Sequence, residues 1–178
     1  MANTFSNSKF RLDVSTDVTG DSGAKLSSRL VTAVDYKNSV GAYYVTNVLT
    51  LSDYSLTVAS GGLALDLFDL GTLDLGAGAG RDNLGGTWAT TKVHSVMVKN
   101  STASDTGILN IDQAAATTTA WSKFVGADAV ISLEAGSFIS ASFGVNGVSV
   151  TDVTDHILQL AATVADCVID VHVTVSQP

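Results

Sequence analysis

Asp66, Asp69 and Asp74 alternate with leucines in the segment LALDLFDLGTLDL, a pattern that could gather carboxylates around Ca²⁺. Asp82, in the glycine-rich segment that follows, could join them. Calcium needs about six to eight oxygen ligands from a preformed loop, and no D-x-D-x-D-G pattern occurs in the chain. Solvated aspartates are therefore the favoured interpretation, and no metal site is predicted.

The three histidines, His94, His156 and His172, are widely separated in the chain. They form neither the i, i+4 pair on a helix nor the cluster with cysteines that a zinc site requires. His94 and His172 fall in predicted strands, where a solvent-facing or hydrogen-bonded role is favoured over metal binding.

Serine, histidine and aspartate are all present, but no G-x-S-x-G turn frames a nucleophile. A pair of carboxylates for glycoside hydrolysis cannot be chosen among sixteen aspartates without their separation in space. Cys167, the only cysteine, alternates with polar residues in an apolar strand pattern, which predicts a buried, unreactive thiol. The chain is predicted not to be an enzyme.

The glycines of the segment 76–80, GAGAG, superficially match a phosphate-binding loop. A dinucleotide-binding fold needs such glycines to open a helix within a βαβ unit, whereas the next residues, RDNLGG, continue as a loop. Nucleotide binding is therefore disfavoured, residues 76–86 are predicted to form a flexible loop, and no cofactor is predicted.

Aromatic side chains remain as candidate contacts with other molecules, because aromatic residues are enriched at the centres of protein interfaces. They could equally fill the core, and the sequence leaves both options open. Trp121 and Phe124 are the stronger interface candidates because they lie in a loop-like stretch. The predicted interface residues are Phe5, Phe10, Trp88, Trp121 and Phe124.

Composition narrows the class of protein. The chain has 178 residues, 46% of them apolar and 15% charged, which predicts one domain that folds by burial of apolar surface. A net charge of −8 disfavours nucleic acid as a partner, and no apolar run approaches the roughly 20 residues of a membrane-spanning helix. The N-terminal residues lack the pattern of a signal peptide, so assembly in a cytoplasm is expected.

Alternation of apolar and polar residues dominates the chain and predicts strands. The clearest is the segment from Cys167 to Val175, and about ten short strands are expected in all. Leu63 to Leu75 fits a short helix or a strand, and the strand is favoured. Asn146–Gly147 is the best candidate for a hairpin turn. The predicted fold is all-β, a jelly-roll-like β-sandwich of about 8–10 strands, with residues 1–12 as a polar N-terminal arm and 13–178 as the sandwich.

From about Leu63 onward, the chain resembles a family of structural proteins of tailed bacteriophages found among head decoration and other virion proteins. The matching segments are Leu65–Leu67, Lys92–Asn100, Gly107–Leu109, Trp121 with Phe124, Ile131–Ser137, Val148–Thr151, Asp155–Leu158 and the final valine-rich strand. The resemblance as a whole covers about two-thirds of the chain. Glu134–Ala135–Gly136 stands where a proline–glycine pair is common in the family, and the chain ends in Ser176–Gln177–Pro178 instead of glycine.

The resemblance implies a jelly-roll-like sandwich that oligomerises, commonly as a trimer, on a viral particle. The expected function is decoration or cementing of a bacteriophage capsid, with the major capsid protein as partner, a location on the capsid surface of the virion, and neither nucleic acid nor membrane as ligand. One alternative is a tail- or head-fibre module that binds a receptor or carbohydrate through Trp88 or Trp121. Another is a single jelly-roll coat protein that forms the shell itself.

Overall fold

A computed structural model describes residues 7–19, 25–37, 47–50, 56–70, 79–81, 88–103, 107–112, 121, 123, 129–144, 146–152 and 154–176. In these residues the secondary structure is entirely β, with twelve strands and no helix, so the predicted all-β class is confirmed. The strands are β1 (Asn7–Thr19), β2 (Lys25–Lys37), β3 (Asn47–Thr50), β4 (Leu56–Val58), β5 (Leu63–Asp66), β6 (Lys92–Asn100), β7 (Leu109–Asp112), β8 (Val130–Leu133), β9 (Phe138–Ser142), β10 (Val148–Ser149), β11 (Ile157–Ala162) and β12 (Cys167–Ser176).

The six-stranded sheet is built around β6 and β12, which pair antiparallel with each other. The other edge of β6 is shared by β9 and β10, and the other edge of β12 is shared by β3 and β4. Each sharing pair is collinear, so the sheet has four strand positions across its width. Their order is β9/β10, β6, β12, β3/β4.

The second sheet has four strands in the order β5–β11–β7–β8, all antiparallel. Both sheets contribute to one apolar core. From the six-stranded sheet, Val96 and Val98 lie opposite Val173 and Val171, and all four are fully buried. From the four-stranded sheet come Leu109, Ile111, Leu158 and Leu160, also fully buried. The two sheets therefore form a β-sandwich, as the β-branched, alternating sequence predicts.

A β-bulge interrupts the pairing of β6 with β12. Thr174 pairs with Ser95 and Val175 pairs with Val93, so His94 is the extra residue on β6. The break between β9 and β10 lies on the other edge of β6, at the same level as this bulge. The backbone N–H of Gly147 bonds to the carbonyl oxygen of Gly144 in this break, over 3.2 Å.

That geometry corrects the prediction of a hairpin at Asn146–Gly147. A hairpin would pair β9 with β10, whereas both strands pair with β6 in the same direction. The turn instead interrupts a single strand position along the edge of β6, with β9 before it and β10 after it. Gly147 has a φ of +59° and Gly144 a φ of +70°, so the left-handed backbone expected of such residues is present without the hairpin.

The segment that follows β5 also differs from its prediction as a continuous strand. After Asp66 the chain makes one helix-like turn, in which the N–H of Leu70 bonds to the carbonyl oxygen of Asp66 over 3.2 Å. Leu70 ends this turn in the left-handed region, with a φ of +63°, and is buried. Residues 71–75 lie outside the described part of the chain.

The N-terminal hairpin was not anticipated. β1 and β2 pair one-to-one over thirteen positions, from Asn7 opposite Lys37 to Thr19 opposite Lys25, and form a two-stranded sheet of their own. The predicted boundary between the arm and the sandwich, at residue 12, lies inside β1. Residues 7–12 are thus part of an ordered ladder, and residues 1–6 lie outside the described residues.

Candidate functional site

Trp88 is a core residue, with 1% of its surface exposed. Its indole Nε1–H donates to the carbonyl oxygen of Leu67 over 3.0 Å, and its backbone N–H donates to the carbonyl oxygen of Gly80 over 3.0 Å. Trp88 therefore fixes the helix-like turn after β5 and a part of the glycine-rich segment. It offers no ring face to a partner or a sugar.

Trp121 is completely buried. Its backbone N–H donates to the carbonyl oxygen of Ile157 over 2.8 Å, its indole Nε1–H lies 3.3 Å from the carbonyl oxygen of Ser149, and its ring meets Phe143 edge to face at 5.6 Å. Trp88 and Trp121, two of the predicted interface residues, both belong to the core, which is the other option that the sequence left open. Sequence reasoning missed this for Trp121 because long-range pairing, not a local strand pattern, buries it.

Asp66 and His156 bring a carboxylate and an imidazole within ion-pair distance of each other. Asp66 Oδ2 lies 3.9 Å from His156 Nδ1, which is an ion-pair distance and too long for a hydrogen bond. The other oxygen, Asp66 Oδ1, accepts the backbone N–H of Phe68 over 2.8 Å. Both ring nitrogens of His156 are buried without a hydrogen-bond partner. The pair thus lacks the hydrogen bond through which a carboxylate orients a catalytic histidine.

The aspartates that were weighed as calcium ligands are not assembled in the part of the chain that the structure describes. Asp66 caps the turn that follows it, Asp69 is exposed, and Asp74 and Asp82 lie outside the described residues. Within the described residues, no group of three or more histidine, cysteine or acidic side chains is close enough to hold a metal ion.

The remaining histidines have structural surroundings. His94 is buried, and its Nδ1 lies 3.1 Å from the carbonyl oxygen of Gly144, so the predicted hydrogen-bonded role is confirmed for it. Burial lowers the pKa of His94, Lys92 lowers it further, and the contact with Gly144 acts in the opposite direction. Burial also lowers the pKa of His172, on the outer side of β12.

Cys167 begins β12 as a fully buried free thiol whose Sγ lies 3.6 Å from the carbonyl oxygen of Ala165. The prediction of a buried thiol is confirmed. No helix among the described residues is long and apolar enough to cross a membrane.

The register of the β1–β2 ladder divides its residues into two sets. Residues directly opposite in an antiparallel pair share a face, and successive residues alternate between faces. One face, which we call the apolar ladder face, consists of positions 8, 10, 12, 14, 16, 18, 26, 28, 30, 32, 34 and 36 and carries no charged residue. Its apolar members are Phe10, Leu12, Val14, Val18, Leu26, Leu30, Val34 and Tyr36.

The opposite face of the ladder holds every charged residue of the two strands. These are Lys9, Arg11, Asp13, Asp17, Lys25, Arg29, Asp35 and Lys37. Phe10, one of the predicted interface residues, is opposite Val34 on the apolar ladder face, whereas Phe5 and Phe124 lie outside the described residues. The alternation predicted a strand at Leu26–Val34, within β2, whereas residues 1–12 were predicted as a polar arm because they lack an apolar run.

Three large apolar side chains of the sandwich are exposed: Val130 by 53%, Phe138 by 50% and Val164 by 66%. Val130 is on the outer face of the four-stranded sheet, opposite Asp112, and Phe138 is opposite Lys99 at the edge of the six-stranded sheet. Val164 lies in the turn between β11 and β12. These residues are dispersed and do not form one contiguous apolar patch.

Comparison of the chain with protein-family models, curated proteins and solved structures finds no match in any of the three.

Proposed function

We propose that this chain is a structural protein of a bacteriophage virion that decorates or cements the capsid by binding the shell surface as an oligomer. The observation that supports this most is the order in which the strands pair. It argues for a jelly roll, the fold that the resemblance to virion proteins implies.

Strand positions can be numbered one to eight along the chain when β3/β4 and β9/β10 are each taken as one position. Position one (β3/β4) then pairs with position eight (β12), and two (β5) pairs with seven (β11). Three (β6) pairs with six (β9/β10), and four (β7) pairs with five (β8). This nested pairing is what results when a long antiparallel hairpin is rolled into two sheets of four, and we infer a jelly roll from it.

The residues behind the resemblance support the same conclusion. Lys92–Asn100 is β6, Ile131–Ser137 runs from β8 into the turn before β9, and the valine-rich segment is β12. The similarity thus lies in strands of the sandwich instead of in loops.

A decoration protein must bind weakly at many equivalent places, because retention on a particle comes from multivalency. Exposed Val130, Phe138 and Val164 provide contact surface for such binding. The proposed partner is the major capsid protein. Carbohydrate binding through Trp88 or Trp121 is not proposed, since both rings are buried.

The proposal is tested by the copy number of the chain per particle, measured by quantitative mass spectrometry of virions made from the genome that encodes it. Hundreds of copies are expected. A few to a few dozen copies would instead indicate a tail, vertex or fibre protein, and absence from the particle would overturn a virion role altogether.

The same strand order also fits a coat protein that builds the shell, since single jelly rolls can tile closed particles. Electron microscopy of the purified chain distinguishes the two. Closed particles would favour the coat protein, and small discrete oligomers would favour decoration.

A further inference from the structure

We infer that Asn146 is a site of spontaneous covalent modification, at which the side-chain amide leaves as ammonia and the residue becomes aspartate or isoaspartate. The co-reactant is water. The isoaspartate product weakens the attachment of β10 to β6, so the modification changes the sandwich at one edge. The inference goes beyond the proposed function and does not depend on it, because it concerns the purified chain in the absence of any shell.

The reaction takes place within the pair Asn146–Gly147. The backbone nitrogen of Gly147 attacks Cγ of Asn146 and closes a succinimide ring, while the Cγ–Nδ2 bond breaks and the proton of the Gly147 N–H leaves on ammonia. Water then opens the ring at one of its two carbonyl carbons. Opening at one carbon gives aspartate. Opening at the other gives isoaspartate, whose main chain runs through the side chain and is one atom longer.

The surroundings of Asn146 admit both steps. Asn146 is exposed, in the turn that separates β9 from β10, so water reaches the residue and ammonia can leave. Gly147 has no side chain to screen the attacking nitrogen, and glycine adopts the backbone angles of ring closure more readily than any other residue. The residue pair and its exposure therefore favour the reaction.

The attacking nitrogen is held by a weak hydrogen bond. The backbone N–H of Gly147 donates to the carbonyl oxygen of Gly144 over 3.2 Å, which is at the long end of the range for such bonds. The same carbonyl oxygen lies 3.1 Å from Nδ1 of His94, so two groups share one acceptor. A bond of this kind in an exposed turn opens locally, without unfolding of the sandwich.

Asn100 provides a comparison within the same chain, because it also precedes a small residue, Ser101. Both reacting groups are held there. The amide of Asn100 is fully buried and donates to two backbone carbonyl oxygens, over 2.8 and 2.9 Å. The backbone N–H of Ser101 donates to the carbonyl oxygen of Val168 over 2.8 Å. Modification of Asn100 therefore requires opening of the core, whereas modification of Asn146 requires only local opening of a turn.

The extra main-chain atom of isoaspartate falls where the turn lies against β6. A Cβ on Gly147 would be 2.9 Å from the carbonyl oxygen of Val93, so the backbone of Gly147 has no room to move towards β6. Directly after Gly147 comes β10, which has only two residues and pairs with β6 from Val148 opposite Val93. Isoaspartate at position 146 therefore displaces Gly147 away from β6 and weakens this short pairing, whereas aspartate adds only a negative charge.

The test incubates the full chain for several weeks in mildly alkaline buffer at physiological temperature, followed by digestion with pepsin in acid and mass spectrometry of the peptides. The mass difference between NH₂ and OH is expected to accumulate at Asn146, at least about tenfold above its level at Asn100 in the same sample. Asn146→Gln keeps an amide but disfavours ring closure, and is expected to stay unmodified. Asn146 lacks a positive φ, so glutamine adds no backbone strain. Equal modification at Asn146 and Asn100, or an intact Asn146, would overturn the inference.

The effect on β10 is measured by hydrogen exchange at the backbone N–H of Val150, which donates to the carbonyl oxygen of Thr91 over 2.9 Å. Isoaspartate is quantified with an isoaspartyl methyltransferase. Exchange at Val150 is expected to be faster in the incubated chain, in proportion to its isoaspartate content. Asn146→Asp has the charge without the extra main-chain atom and is expected to exchange as the fresh wild type does. Unchanged exchange after incubation, or equal acceleration in Asn146→Asp, would refute the weakening of β10 by isoaspartate.

Discussion

The Nδ2 amide of Asn100, at the end of β6, donates a hydrogen bond over 2.9 Å to the carbonyl oxygen of Leu133, at the end of β8, and so joins the two sheets. The same amide also donates to the carbonyl oxygen of Gly107 over 2.8 Å, and Oδ1 accepts from the hydroxyl of Thr102 over 2.6 Å. Asn100 is fully buried. One side chain therefore satisfies backbone carbonyl oxygens at two places at this end of the sandwich, in the β6–β7 connection and at the end of β8.

Replacing Asn100 with alanine is expected to lower the free energy of unfolding by about 2–4 kcal/mol, because two buried carbonyl oxygens lose their donor. Asn110→Ala is the matched control: its amide only accepts the exposed hydroxyl of Ser132, over 2.7 Å, and a loss below about 1 kcal/mol is expected. Urea unfolding followed by tryptophan fluorescence measures both. Equal losses would mean that Asn100 does not join the sheets.

Trp121→Ala is expected to destabilise the chain by about 3–5 kcal/mol, because the ring is completely buried against Phe143. Phe138→Ala removes a ring that is 50% exposed, and a loss of less than about 1 kcal/mol is expected. Calorimetric midpoints compare the two variants. A small effect at Trp121 would return this residue to the list of possible interface anchors.

Gly147→Ala tests the break between β9 and β10. A Cβ at Gly147 would lie 2.9 Å from the carbonyl oxygen of Val93 and 3.1 Å from the ring of His94, in addition to the strain of a positive φ. Gly136→Ala carries similar strain, at a φ of +80°, but its Cβ would meet open space. We expect Gly136→Ala to lower the free energy of unfolding by about 1 kcal/mol because of strain. Gly147→Ala is expected to lower it by about 1–3 kcal/mol more. Thermal denaturation showing equal losses would contradict the close approach to β6.

Stability is expected to fall on acidification through the titration of His94 and His172. Burial lowers the pKa of both in the folded chain, so below about pH 6.5 the unfolded chain binds protons that the folded chain does not. Their contribution is fully present above that pH and is lost as the pH falls towards the lowered folded pKa values. Each histidine contributes a slope of at most about 1.4 kcal/mol per pH unit.

The measurement is the free energy of unfolding between pH 8 and 5 for wild type, His172→Gln and the double variant with His94→Gln. The dependence on pH should flatten stepwise as each histidine is removed, because glutamine does not titrate. His172→Gln is the cleaner of the two, since burial is the sole cause of its shift. An unchanged slope in the double variant would assign the pH dependence to the carboxylates.

The local sequence pattern was sufficient to predict most of the strands, but it was insufficient to predict which strands pair with each other. The alternation from Cys167 to Val175 predicted the bounds of β12 to within one residue, because β-branched residues at every second position strongly favour a strand. The same kind of alternation in β1 was obscured by its lysine, arginine and two aspartates, which belong to the second face of the ladder. At Asn146–Gly147 the backbone preference was predicted, but which strand each flank joins is decided by contacts distant in sequence.

The same limit applies to the prediction of the site residues from the sequence. The core position of Trp121 and the approach of Asp66 to His156 depend on pairing between segments far apart in the chain, which composition and spacing do not encode. Cys167 could be predicted as buried because its own strand specifies its face.

The central position of β12 has a consequence for how the chain is made. β3 pairs only with β12 among the described strands, so Asn47–Thr50 must wait for partners more than 120 residues later, His172–Val175. At about 5–20 residues per second, ribosomes need roughly 6–25 s to deliver them. During that interval β6 lacks its neighbour, so the six-stranded sheet can be completed only after β12 has emerged from the ribosome.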